Sequence, residues 1–266
     1  MLKPILFTLL IALPLAAQQS SLPTSVQNTL LVEITPLDGT VYHVQGVDLD
    51  KDHIWVTSVD GEAHKAWLHE FNRKTAKLEH QIELTDGARY HAGGFSLYGN
   101  SIWIPVAEDK PHSTAVLIEL DKHKLTIKRK IFVPDHIGCL AVTENTLVAG
   151  NWDSRQLYVF NMKGKQLRVI DTPPNTSYQD IKIDGGFLVG ANSPSETVGS
   201  VDWYEWPSTS SSTLPQSFQP VRSLRAGITA RKRILTGEGM AIKGNDLYLL
   251  PEDNPTRLFH FKVSPQ

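Results

Sequence analysis

From Thr29 onward the chain is written in short apolar runs broken by polar turns, and one passage returns five times. Its first form is YHVQGVDLDKDHIWVTS: a histidine, a glycine three residues later, an apolar run, a turn and a second apolar run. YHAGGFSLYGNSIWIPV and DHIGCLAVTENTLVAGN repeat it. Aligned on Gly46, Gly94, Cys139, Asp180 and Gly239, the units place Ile54, Ile102, Leu147, Leu188 and Leu247 at one position of the second run. The turns between the runs (DLDKDH, SLYGNS, AVTENT, KIDGGF and AIKGND) are rich in Asp, Asn and Gly. Two short apolar runs joined by such a turn predict a β-hairpin, because these residues tolerate the backbone angles of a tight reversal.

A third run follows in every unit: WLHEFN, VLIELD, QLYVFN, DWYEWP and RLFHFK. Each alternates a large apolar residue with a more variable one, the period of a strand buried on one side. KLEHQIEL, LTIKRKIFV, KQLRVID and QPVRSLR supply a fourth strand to four units. The fifth unit stops after three, and TLLVEIT (Thr29–Thr35) stands ready at the other end to complete it. No segment carries a helical period. The pattern predicts an all-β fold, a five-bladed β-propeller whose last blade is closed by the N-terminal strand. Residues 18–266 form its single domain, and Pro207–Gln216, polar and proline-flanked, is expected to be a mobile surface loop.

Composition changes this picture little. Hydrophobic residues make up 41% of 266 and charged ones 20%, enough to bury a core. A net charge of -2 gives no nucleic-acid footprint. The basic stretch KHKLTIKRK (Lys122–Lys130) alternates like the solvated face of an outer strand. The opening residues carry one lysine, an apolar run from Pro4 to Leu15 and then small residues. That run is too short to span a bilayer and reads as a signal peptide, residues 1–17, so the protein is expected to be secreted or periplasmic, without a membrane span, and monomeric. A lone cysteine, Cys139, forms no internal disulfide; it is expected to be a buried, inert thiol.

In a propeller, residues just before the first strand of each blade gather at one rim of the central channel. Three before the anchors stand His43, His91, His136, Ser177 and Thr236; one before stand Gln45, Gly93, Gly138, Gln179 and Glu238. Loops on the same face add Asn151, Trp152, Asn192 and Glu252. His43, His91, His136 and Glu238 are the candidate catalytic residues. An imidazole there would act as general base, since its pKa lies near neutrality, and Glu238 would orient it or act as acid. Gln45, Gln179, Asn151, Trp152, Asn192 and Glu252 are candidate ligand-binding residues. His43, His91 and His136 are also ligand types suited to a divalent metal such as zinc, iron or copper. A duplicated histidine equally fits a purely structural role, buttressing one blade against the next. His53, His64, His69, His80, His112, His123 and His260 fall on turns or outer strands and are expected at the surface. Trp55, Trp103, Trp203 and Trp206 are expected between blades.

HVQGVDLDKDHIWVTS resembles the opening blade of the glutamine-cyclotransferase-like propellers, GNWDSRQLYVFN their Asn-x-Trp blade, and GEGMAIKGNDLYLLPEDNPTRLFHFKV their closing blade. The resemblance runs over most of the chain and implies the five-bladed fold. It would also imply cyclisation of N-terminal glutamine, but Val56, Thr57, Ser58 and Val59 replace that family's Glu-Ser-Thr-Gly. Leu250, Pro251 and Glu252 replace its Thr-Gly-Lys, so a carboxylate and a cation are both missing. Three functions remain: a small-molecule or metal-assisted site at the rim, hydrolytic or lyase-type; a scaffold whose rim binds an extracellular protein or glycan; and a cyclotransferase.

Overall fold

The computed structural model describes residues 24–206 and 218–264. The expected signal peptide and the loop Pro207–Gln216 lie outside the described residues. Every regular element among the described residues is a strand, and the strands form five antiparallel sheets, one per blade. No helix among them is long and apolar enough to cross a membrane.

Blade one is His43–Leu49, His53–Asp60, Lys65–Asn72 and Leu78–Glu83, counted from the axis outward. Blade two has a broken inner strand, His91–Ala92 and Ser96–Tyr98, both paired to Ser101–Ala107, then Ala115–Asp121 and Thr126–Val133. Blade three runs Ile137–Val142, Thr146–Asn151, Gln156–Asn161 and Gln166–Asp171. Blade four runs Tyr178–Asp184, Phe187–Asn192, Gly199–Glu205 and Arg222–Ala226. Blade five begins with Gly239–Lys243, Asp246–Leu250 and Arg257–Val263. Its outer strand is Thr29–Pro36, which pairs from Thr29↔Val263 to Pro36↔Arg257. The ring therefore closes by strand exchange, as the run count predicts.

The core is five seams, each filled from the facing sides of two neighbouring blades. Trp55, Leu68, Ile102 and Ile118 fill the seam between blades one and two; Trp103, Leu117, Leu140 and Leu147 the next. Leu37, Val56, Phe71, Leu250 and Leu258 join blade five to blade one. Burying each such side chain contributes about 1.5–3 kcal/mol. Trp203 and Trp206 are also buried. The basic stretch lies on the outermost strand of blade two only from Thr126, its first residues, 122–125, forming the turn before it; Arg129 pairs with Glu119 at 2.6 Å and Lys130 with Asp86 at 2.7 Å.

At the axis the anchor positions meet, and their small size has a steric cause. Gly94 N–H donates to the Gly138 carbonyl at 2.9 Å, and Leu140 N–H to that of Gly94 at 2.9 Å, so the inner strands of blades two and three bond directly. A Cβ on Gly93 would lie 2.0 Å from that Gly138 oxygen. The anchor of blade four is instead Asp180, completely buried. Its carboxylate accepts from Lys182 Nζ at 2.5 Å, Met240 N–H at 3.1 Å and Val47 N–H at 3.3 Å, tying blade four to blades five and one. Burial pushes Asp180 up to about 7 against the opposing pull of Lys182.

Cys139 is buried, and desolvation pushes its thiol up to about 12, so it is inert near neutral pH. His69 corrects the sequence reading: it is wholly buried, sharing a hydrogen bond with Ser58 Oγ at 2.7 Å. Its strand is third from the axis and still covered on both faces, so strand rank does not make it a surface residue. The other six histidines expected at the surface retain exposure.

Candidate functional site

The rim is shaped by a repeated irregularity. In blade one the pairing slips between Val44 and Gly46, in blade three between Ile137 and Cys139, and in blade four between Tyr178 and Asp180. Gln45, Gly138 and Gln179 are thus the extra residues of β-bulges, and in blade two the strand is interrupted outright between Ala92 and Ser96. A bulge bends its strand and re-aims the side chains before it, which turns the residues ahead of each anchor toward the rim.

Two groups of side chains result. His91 and His136 stand together, ring centroids 5.4 Å apart, and Trp152 packs edge-on to His136 at 4.5 Å and lies 6.3 Å from His91. His136 is buried; its Nδ1–H donates to the Glu108 carbonyl at 2.8 Å, which fixes the tautomer. Desolvation holds its pKa below the usual histidine range, partly offset by that carbonyl. His91 keeps some surface on the rim. Desolvation first, then the neighbouring His136, push it down to about 4, with Asp109 opposing. Both rings are neutral near pH 7. The Nδ1 of His91 is buried without a hydrogen-bond partner among the described residues. Trp152 is 43% exposed and forms an apolar wall beside the pair.

His43 belongs to the second group. Its Nδ1 lies 3.0 Å from Glu252 Oε1 and its Nε2 3.7 Å from Glu238 Oε1. Desolvation, reinforced by the charge of Glu252, raises the Glu238 carboxyl well above its usual range, with Arg233 opposing. A cavity of about 360 Å³ opens beside these carboxylates, lined also by Arg233 and Lys232. A smaller one of about 170 Å³ lies over Tyr42 and His43 and shares Glu252.

The three histidines therefore share a rim but not one cluster. Among the described residues, the His, Cys, Asp or Glu group whose ligand atoms all fall within 4.8 Å is His43, Glu238 and Glu252. Asn151 and Asn192 hold loops instead: their amide oxygens accept from Gln156 N–H at 3.0 Å and Ser177 N–H at 2.7 Å. Gln45 is buried, and Gln179 reaches back to Ser177 Oγ at 3.4 Å. Sequence reasoning missed Arg233, whose Nη1 lies 3.5 Å from Glu252 Oε2. It sits in a loop that only blade five carries, so the repeat gave no signal for it. A larger cavity, about 400 Å³, lies at the opposite end of the axis among Asp48, Asp50, Lys122 and Lys182. Its charges are largely engaged with one another, Lys122 with Asp50 at 3.1 Å and Lys182 with Asp180, so the rim with unpartnered groups is the better site.

Residues 57–183 match the model of a family of unknown function, DUF6454. No curated protein matches the chain in sequence. Among solved structures, the glutaminyl cyclase of Myxococcus xanthus superposes with a TM-score of 0.62 at 13% identity, covering 89% of this chain and 97% of its own. The likeness is one of fold. The WD40 domain of Neurospora crassa Pan2 gives 0.48 at 10% identity, over 79% of this chain and 56% of that one. BamB from Moraxella catarrhalis gives 0.44 at 12%, over 86% and 61%.

Proposed function

We propose that the histidine rim binds a small molecule and acts on it by proton transfer, in a hydrolytic or lyase-type reaction with His91 as the base. The observation that carries this reading is the neutral imidazole pair with the unpartnered Nδ1 of His91. A buried polar nitrogen left unpaired costs about 1–3 kcal/mol, a cost relieved when a ligand displaces the cover over Nδ1 and bonds it. His136, pinned by the Glu108 carbonyl, holds its neighbour's orientation, and the exposed face of Trp152 offers a surface for the apolar part of a ligand. Pro4–Leu15 supports export as part of the same proposal, with an extracellular or periplasmic substrate.

The reading is tested with a panel of esters, amides, glycosides and N-terminal glutaminyl peptides, followed by thermal shift and by mass spectrometry of products. At least one class is expected to raise the melting temperature and to be converted. Conversion should fall by about 100-fold or more in His91→Gln, the scale of general-base catalysis, with the unliganded melting temperature little changed. Because the neutral ring is required, activity should persist below neutrality and fall as pH drops toward about 4. A panel without a binder, or a His91→Gln variant that binds and converts as well as wild type, leaves the rim as architecture. Binding without conversion would favour the protein- or glycan-binding scaffold.

A further inference from the structure

We infer that His43, Glu238 and Glu252 hold a first-row divalent ion, zinc or manganese in character, at the seam between blades one and five. The inference rests on reading this rim as a binding site and adds the ion that the site would use. The three come from separate parts of the fold. His43 opens the inner strand of blade one, Glu238 directly precedes that of blade five, and Glu252 follows the second strand of blade five.

Distances separate this arrangement from an ordinary ion pair. At 3.0 Å, the His43 Nδ1–H donates to Glu252. At 3.7 Å, His43 Nε2 and Glu238 Oε1 are too far apart to hydrogen-bond. They are near the separation of two donors on one ion, because bonds of about 2.1 Å at a tetrahedral angle set donors about 3.4 Å apart. A carboxylate on one imidazole nitrogen, with the other facing a metal, is also how metal-bound histidines are usually oriented. As placed, Glu252 is that orienting partner; to become a third ligand it must give up the Nδ1 bond and swing to the Nε2 side.

Charge points the same way. Glu238 has a side chain only 13% exposed and no lysine or arginine within ion-pair distance among the described residues. Arg233 reaches only Oε2 of Glu252. Two carboxylates facing each other in a half-buried seam are costly without a cation between them, and a divalent ion offsets both. An imidazole nitrogen with carboxylate oxygens suits zinc or manganese, and two protein ligands, or three once Glu252 swings in, leave positions open toward the two adjoining cavities. His91 and His136, which the sequence groups with His43 as metal ligands, lie outside this set.

The test uses the full chain stripped with a chelator, then titrated calorimetrically with zinc, manganese, magnesium or calcium salts alone. One zinc or manganese ion per chain is expected, bound at least about tenfold more weakly in Glu238→Gln and in His43→Gln and unchanged in His91→Gln. Absence of stoichiometric zinc or manganese binding by the wild type overturns the inference. So does a Glu238→Gln variant that binds as tightly as wild type. Loss in His91→Gln with retention in Glu238→Gln would move the ion to the imidazole pair and overturn it too. Since the ion is the only probe, this outcome is independent of the small-molecule panel.

Discussion

His69 shows how much one residue's surroundings decide. In the repeat its position on the third strand is otherwise held by Ile118, Tyr158, Tyr204 and Phe259, and it is sealed as most of them are, between Ser58, Tyr42 and Phe71. Desolvation pushes its pKa down to about 4, against about 6.5 in the unfolded chain. The folded ring stays neutral while the unfolded one takes up a proton, so stability is complete above about pH 6.5 and declines as pH falls toward 4. Its share is roughly 3 kcal/mol, from about 1.4 kcal/mol per unit of displacement. Replacing it by leucine removes that share. Melting curves from pH 7 to 4 should therefore fall less steeply for His69→Leu than for wild type; parallel curves would show that the ring does not titrate this way. Asp180 makes the complementary case. Its break in a row of small anchors was visible in the sequence, but its meaning, a buried carboxylate bonded to three blades, was not.

At the scale of the strand, alternation and turn chemistry are local properties, and they place the strands where the structure has them. The bulges were not legible, because an extra residue in one strand is defined only by what its partner pairs with. The glycines beside the anchors differ for the same reason. Gly93 and Gly138 are equivalent in the repeat, yet a Cβ on the first meets a carbonyl oxygen at 2.0 Å and on the second nothing nearer than 3.6 Å. Gly93→Ala should push apart the inner strands of blades two and three and cost about 1–3 kcal/mol or more, in line with core overpacking. Gly138→Ala should be nearly neutral. Urea denaturation of the two variants decides it, and equal midpoints would mean that the inner strands adjust freely.

For the whole molecule the decisive feature is closure. Thr29–Pro36 is mostly exposed, so little of its worth is apolar burial; it covers the edge of Arg257–Val263 and latches the ring. Just ahead of it, Val26 is buried in the seam between blades four and five and bridges to Ala226. Deleting the chain through Pro36 uncovers a strand edge and frees blade five from its outer partner. That should cost several kcal/mol of a total that is typically about 5–15 kcal/mol. A truncated protein that melts with the full chain would show that the ring holds without its latch.

The sequence by itself determined the strands, their number per blade, the strand exchange and the set of residues that share one rim. These follow from a period of two, from turn residues and from duplication, all of which are written along the chain. It could not determine which rim residues meet. His43, His91 and His136 hold equivalent positions, yet tertiary structure pairs His91 with His136 under Trp152 and gives His43 to Glu238 and Glu252. The same holds for Asn151 and Asn192, whose place at the rim was legible and whose use in fastening loops was not. Repetition fixes equivalence within the blade. Contact across the ring depends on how far each strand bends at its bulge and on which loops the neighbouring blade carries, and both are set only when the five seams pack.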